Sequence, residues 1–243
     1  MGLVSHFKYL IGLSSLIPLL PLIVFQGKQV KANTLRLPCA KGNTYASHSL
    51  ADVSLLHLGE STVAGVGVKT LDQGLTQAIV KQLQHASSLT IDWHIQAKNG
   101  ASLHQLNKLD ISIQNPDLLV ITIGVNDTTG LTSRADWRKQ LNLCVQRFAG
   151  PDTHVFFTKV PNMAHFPALP APLSWFLGCR SQILDHELKT LCRHSNWHHI
   201  KTSLPIEEKW MAKDGYHPNK VGYQIWGKQI GQAILKTLGI PDS

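Results

Sequence analysis

Four short polar clusters follow apolar runs in this chain: Gly59-Glu60-Ser61, Asn99-Gly100, Gly124-Val125-Asn126-Asp127 and Asp214-Gly215-Tyr216-His217. A serine hydroxyl is a weak nucleophile at neutral pH and needs a base within hydrogen-bond reach, itself oriented by a third group. Ser61 is the candidate nucleophile, His217 the base and Asp214 the orienting group. Asp214 and His217 are three positions apart, and Gly215 permits a tight turn between them, so the carboxylate can reach Nδ1 while Nε2 faces the serine. A tetrahedral intermediate also needs preorganised donors for its oxyanion. Gly100, with no Cβ to hold a substrate away from its N–H, the Asn126 side-chain amide and the Ser61 N–H are the candidates.

Taken singly, each cluster has an ordinary explanation. Gly59-Glu60-Ser61 is a strand-to-helix turn with a capping serine, and Asn99-Gly100 is a common turn dipeptide. Asn126-Asp127 reads as an Asx-turn or helix cap, and Asp214 to His217 as a loop before a helix capped by Asn219. Their joint order, three of the four at the ends of expected strands, is what points to catalysis. Open α/β sheets form their ligand crevice at the carboxyl ends of the strands.

Strands are expected over residues 53–58, 90–97, 118–123 and 154–160. Helical spacing marks residues 71–85, 103–113, 135–148, 173–194 and 220–238. This alternation specifies an α/β fold with a mostly parallel central sheet covered on both faces. The stretch Pro161 to Pro172 holds four prolines with Phe166 and Leu169. It is either a wall of the substrate pocket or a plain surface loop. The loops after Gly65 and after Asp127 are the other expected walls.

Ser61, Gly100, Asn126 and His217, in that order, resemble the four blocks of the SGNH (GDSL-type) hydrolases. The likeness runs from about Ser54 to Leu238. It implies a three-layer α/β/α sandwich of the SGNH/flavodoxin-like kind and hydrolysis of esters or thioesters through an acyl-enzyme; the histidine and cysteine spacing separately gives no cofactor. One departure stands out: the family usually carries Asp before the serine, where this chain has Glu60, which adds a methylene.

The chain has 243 residues, 43% of them hydrophobic, without repeats or low-complexity tracts, which suits one catalytic domain over residues 34–243. Residues 1–33 form an apolar signal or anchor with a linker. The run Tyr9 to Phe25 carries no charge and, at ~17 residues, meets the lower limit for a spanning helix, although Pro18 and Pro21 interrupt it. Val30-Lys31-Ala32 offers a cleavage site, but two nearby lysines are unusual before a cut, so we read the segment as retained. Lys28, Lys31, Arg36 and Lys41 after it favour a cytoplasmic domain by the positive-inside rule. A periplasmic or secreted form is the competing reading.

The net charge of +8 suits a domain beside anionic lipid, and no nucleic-acid module accompanies it. Cys39, Cys144, Cys179 and Cys192 match neither a disulfide framework nor a zinc pattern, so no metal is expected. The expected substrate is a small-molecule ester or a lipid, and the oligomeric state is open. Two other functions use the same features. A carbohydrate O-deacetylase or acyltransferase would share the site; a membrane-tethered binding protein with a decayed site would be non-enzymatic, and only Glu60 speaks for it.

Overall fold

The computed structural model describes residues 16–110, 113–202, 204 and 206–241. Its strands are β1 (Tyr45–Ala46), β2 (Val53–Gly59), β3 (Ile91–Ala97), β4 (Leu118–Thr122), β5 (His154–Thr158) and β6 (Trp197–Ile200). They form one sheet in the order β1-β3-β2-β4-β5-β6. All neighbours from β3 to β6 pair in parallel, and only the two-residue edge strand β1 runs antiparallel. The helices are α1 (Leu20–Asn33), α2 (Leu75–Ser87), α3 (Leu103–Leu106), α4 (Val125–Thr129), α5 (Arg134–Phe148), α6 (Leu173–His194) and α7 (Lys220–Leu238).

Side-chain alternation along the strands builds two cores. Leu55, Leu118, Val120 and Phe156 face one, where α2 contributes Ile79 and Leu83 and α7 contributes Trp226 and Ile230. Leu56, Leu119, Ile121 and Phe157 face the other, with Trp137 and Leu141 of α5 and Leu184 and Leu188 of α6. A strand covered on both faces must be apolar at successive positions, which is why β4 reads as an unbroken hydrophobic run. The result is the expected three-layer α/β/α sandwich.

Register decides what meets at the rim. Gly59 ends β2 opposite Ala97 of β3 on one side and opposite Thr122 of β4 on the other. The three carboxyl ends are therefore level, and the chain leaves β2 at the point where the strand order reverses. Gly59 must be glycine there: a Cβ would stand 2.3 Å from Val63 Cγ2 and 2.5 Å from the Thr122 carbonyl.

Several expected bounds shift. Residues 71–85 divide into a 3-10 turn (Leu71–Gln73) and α2, and the helix expected over 103–113 ends at Leu106, with residues 111–112 outside the described set. The segment Tyr9 to Phe25 is described from Leu16 onward. Pro18 lies in a 3-10 turn and Pro21 in the first turn of α1, where a missing N–H removes no intrahelical bond. The helix then continues past Phe25 through Lys28 and Lys31 to Asn33 and packs against α6. No helix among the described residues is long and apolar enough to cross a membrane.

Candidate active site

The turn after β2 carries Glu60 and Ser61, closed by the Val66 N–H donating to the Ser61 carbonyl at 3.0 Å. The loop before α7 carries Asp214 and His217. It is pinned by the Ala212 N–H to the His217 carbonyl at 2.7 Å, and Asn219 Oδ1 caps α7 by accepting from the N–H groups of Val221 and Gly222. Gly215 adopts φ +69°, the left-handed conformation this turn needs.

These two loops bring the three expected groups into line. His217 Nε2 lies 2.8 Å from Ser61 Oγ, and His217 Nδ1 lies 2.6 Å from Asp214 Oδ2. The other Asp214 oxygen accepts from the N–H groups of Tyr216 at 3.0 Å and His217 at 3.1 Å. Burial raises the Asp214 pKa, but the imidazole and these N–H donors outweigh it and hold the carboxyl below its ordinary value. Asp214 is thus an anion fixed at both oxygens, able to orient the imidazole and to stabilise it when it takes a proton.

The oxyanion candidates converge on the same cavity. Gly100 adopts φ +76° and has open space where a Cβ would stand. The Asn126 amide donates one N–H to the Ala101 carbonyl at 3.1 Å, which leaves its second N–H. Neither the Ser61 nor the Gly100 backbone N–H meets an acceptor among the described residues. Ser61, Gly100, Asn126 and His217 all line one cavity.

Glu60 has a role that sequence reasoning did not anticipate. Its two carboxyl oxygens accept from the N–H groups of Val125, at 2.9 Å, and Asn126, at 3.0 Å. The longer side chain thereby ties the turn carrying Ser61 to the backbone of Asn126, the candidate oxyanion donor. Burial pushes the Glu60 carboxyl up to about 8, opposed by those backbone donors. Buried Asp127 makes a parallel link: its carboxylate accepts from the Leu103 N–H and the Thr132 hydroxyl, each at 2.9 Å, so the loop carrying Gly100 is tied to α4. Its place beside Asn126 was the available signal, but the partner 24 positions away was not.

Beneath the site, His57 is fully buried in β2, with Nδ1 2.8 Å from Thr76 Oγ1 and Nε2 3.0 Å from Thr122 Oγ1. Burial pushes its pKa down to about 3, so it is a neutral cross-link.

The cavity measures about 1210 Å³. Pro161, Met163, Phe166 and Leu169 line it, so the proline-rich segment is a pocket wall, as are Thr129 to Thr132 after Asp127. The loop after Gly65 is not among its linings. That segment instead packs inward, where the Tyr223 hydroxyl donates to the Val66 carbonyl at 2.6 Å. In its place α1 supplies a wall that sequence reasoning missed. All four cysteines are free thiols, with Cys144 and Cys192 buried. Among the described residues no group of three His, Cys, Asp or Glu could hold a metal ion.

A mostly parallel sheet with hydrogen-bonded Ser61, His217 and Asp214 at its carboxyl rim, beside Gly100 and Asn126, is the arrangement of an SGNH-type hydrolase fold. Residues 57–225 match the GDSL-like Lipase/Acylhydrolase family, and the chain belongs to that family. A GDSL-like esterase of Mycobacterium tuberculosis, Rv1075c, is 28% identical over 205 residues, which cover 78% of this chain. The matched region spans 65% of that relative's length. Among solved structures, a lipase/acylhydrolase from Enterococcus faecalis superposes with a TM-score of 0.61 at 20% identity, covering 79% of this chain and 98% of that one. An acetylxylan esterase from Geobacillus stearothermophilus gives 0.55 at 16% identity, covering 79% and 96%. These two likenesses concern the fold.

Proposed function

We propose that the protein is a serine esterase that cleaves carboxylic ester bonds through an acyl-enzyme. Ser61 Oγ attacks the carbonyl carbon as His217 Nε2 takes its proton, and Asp214 stabilises the imidazolium. Gly100, Asn126 and the Ser61 N–H hold the oxyanion. Collapse of the tetrahedral intermediate expels the alcohol, which receives the proton from His217. Water, deprotonated by the same imidazole, then attacks the acyl-enzyme and releases the acid.

The observation that carries this reading is the unbroken relay from Ser61 through His217 to Asp214, at 2.8 and 2.6 Å. The test is hydrolysis of p-nitrophenyl acetate and butyrate by the full chain and by Ser61→Ala. Turnover that the alanine variant lacks is expected; equal turnover by both proteins contradicts the mechanism.

For localisation we propose attachment to a membrane surface through the N-terminal segment. Ile17, Leu22 and Phe25 expose 60%, 44% and 62% of their surface, and exposed Lys28 and Lys31 follow on the same helix. Apolar side chains beside cations suit a bilayer containing anionic lipid. Co-sedimentation with phosphatidylglycerol vesicles, lost in a Leu22→Ser/Phe25→Ser variant, is expected; equal recovery of both proteins contradicts the proposal.

A further inference from the structure

The active-site cavity is larger than the 300–1,000 Å³ typical of ligand pockets, and it is uneven in character. Ser61, Gly100, Asn126 and His217 make one part polar, whereas Phe166, Leu169, Leu173, Phe176 and Leu177 make another apolar. The apolar part is completed by α1. Leu20, Ile23, Val24, Gly27 and Val30 of that helix line the cavity. At 100° per residue these positions fall within an arc of about 120°, so one face of the helix looks into the cavity, apolar along most of its length and joined by the cationic Lys28 and Lys31 toward its carboxyl end.

This wall is held in place. The Gln26 side chain donates from Nε2 to the Ala171 carbonyl at 2.8 Å and accepts from the Leu173 N–H at 3.1 Å. One amide therefore clasps α1 to the start of α6. Ile23 is 4% exposed and joins the same apolar core as Phe166, Leu169 and Leu173. The whole of α1 precedes residue 57, where the match to the family begins. The apolar wall thus joins residues inside the matched region, such as Phe166 and Leu173, to a helix that lies outside it.

We infer that α1 is the specificity-determining wall of an acyl-binding groove, and that the substrate is an ester of a medium- to long-chain fatty acid. Its carbonyl meets Ser61 while its chain lies between α1 and α6. The inference rests on the serine esterase reading. It follows from continuity: the cavity that holds the nucleophile is the one α1 closes. Each methylene buried there gains about 0.8 kcal/mol, so each reachable carbon favours a longer chain. An acetyl group would leave the apolar part unused.

Gly27 gives the test. It lies near the middle of the cavity-facing arc, and a Cβ added there meets nothing within 4 Å. Phenylalanine also suits a helix better than glycine, so Gly27→Phe fills the groove without breaking α1. The measurement is kcat/KM for p-nitrophenyl acetate, butyrate, octanoate and palmitate, using the full chain, Gly27→Phe and the control Gln29→Phe, which puts the same ring on the exposed far side of α1. The native protein is expected to prefer octanoate or palmitate to acetate by at least tenfold. Gly27→Phe is expected to lower that long-to-short ratio at least tenfold, and Gln29→Phe to leave it within threefold. A native preference for acetate overturns the inference, as does a Gly27→Phe effect equal at every chain length. If the native protein hydrolyses none of the four esters, the esterase reading itself fails, an outcome distinct from either of those.

Discussion

His217 and His57 are the same residue type, each held by two hydrogen bonds within 3.0 Å, yet the structure gives them opposite capacities. His57 is enclosed and bonded only to threonine hydroxyls, which do nothing to stabilise a cation, and burial keeps it neutral. His217 has a 19% exposed side chain between a carboxylate and a serine. The first therefore fastens α2 and β4 to β2. The second lies between a fixed anion and a serine hydroxyl, the placement a general base requires. A histidine's chemistry is set by what it bonds and by the water left to it.

The contrast can be broken most severely at His217. His217→Ala is expected to lower kcat by about 10⁴-fold or more, with little change in the thermal midpoint, since relay members act as a unit. Steady-state ester hydrolysis beside a thermal melt checks both halves. Asn126→Ala is expected to cost about 10²- to 10³-fold in kcat, the usual loss of one oxyanion donor. Glu60→Ala should lower kcat by roughly 10²-fold by releasing the backbone that positions Asn126, an effect on geometry rather than on the nucleophile. An unchanged kcat in that variant would show that the Glu60 clamp is dispensable.

His57→Val is the mirror experiment. It removes the partner of two threonine hydroxyls, so about 1–3 kcal/mol of stability should be lost in urea unfolding while kcat stays within threefold. The same variant sharpens the pH dependence. Unfolded, His57 binds a proton near the ordinary histidine value of 6.5, but in the fold only at about 3. Between those values the unfolded chain binds the extra proton, so stability falls as pH drops through that window, by up to ~1.4 kcal/mol per pH unit. Glu60 acts in the opposite sense. Its carboxyl is raised from 4.5 to about 8 in the fold, so its contribution falls as pH rises across that interval. The two oppose each other between 4.5 and 6.5, and below 4.5 the His57 effect acts without that opposition. Unfolding of the native protein at pH 3.5 and 4.5 should therefore show an acid loss that His57→Val reduces.

The polar site was legible in the sequence because its parts are local. Ser61, Gly100 and Asn126 each follow an apolar run that must be a strand, and level strand ends bring them together. Asp214 and His217 lie one turn apart, and α6 and α7 have the bounds their periodicity predicts. What escaped was long-range. The Glu60 bonds to Val125 and Asn126 depend on where α4 starts, 65 positions later. The role of α1 escaped for a different reason. An apolar run from Tyr9 to Phe25 reads the same whether lipid or protein will cover it, and hydropathy carries no record of the partner. The helix runs on through Lys28 and Lys31, since lysine is a good helix former.

The central claim is that Ser61 is a nucleophile activated by His217. Its most direct test is treatment of the full chain with a fluorophosphonate, followed by peptide mass spectrometry. The account predicts one phosphonyl adduct, on Ser61, that is absent from Ser61→Ala and much slower to form in His217→Ala. An adduct on a different residue, or labelling that persists at the native rate without His217, would contradict it.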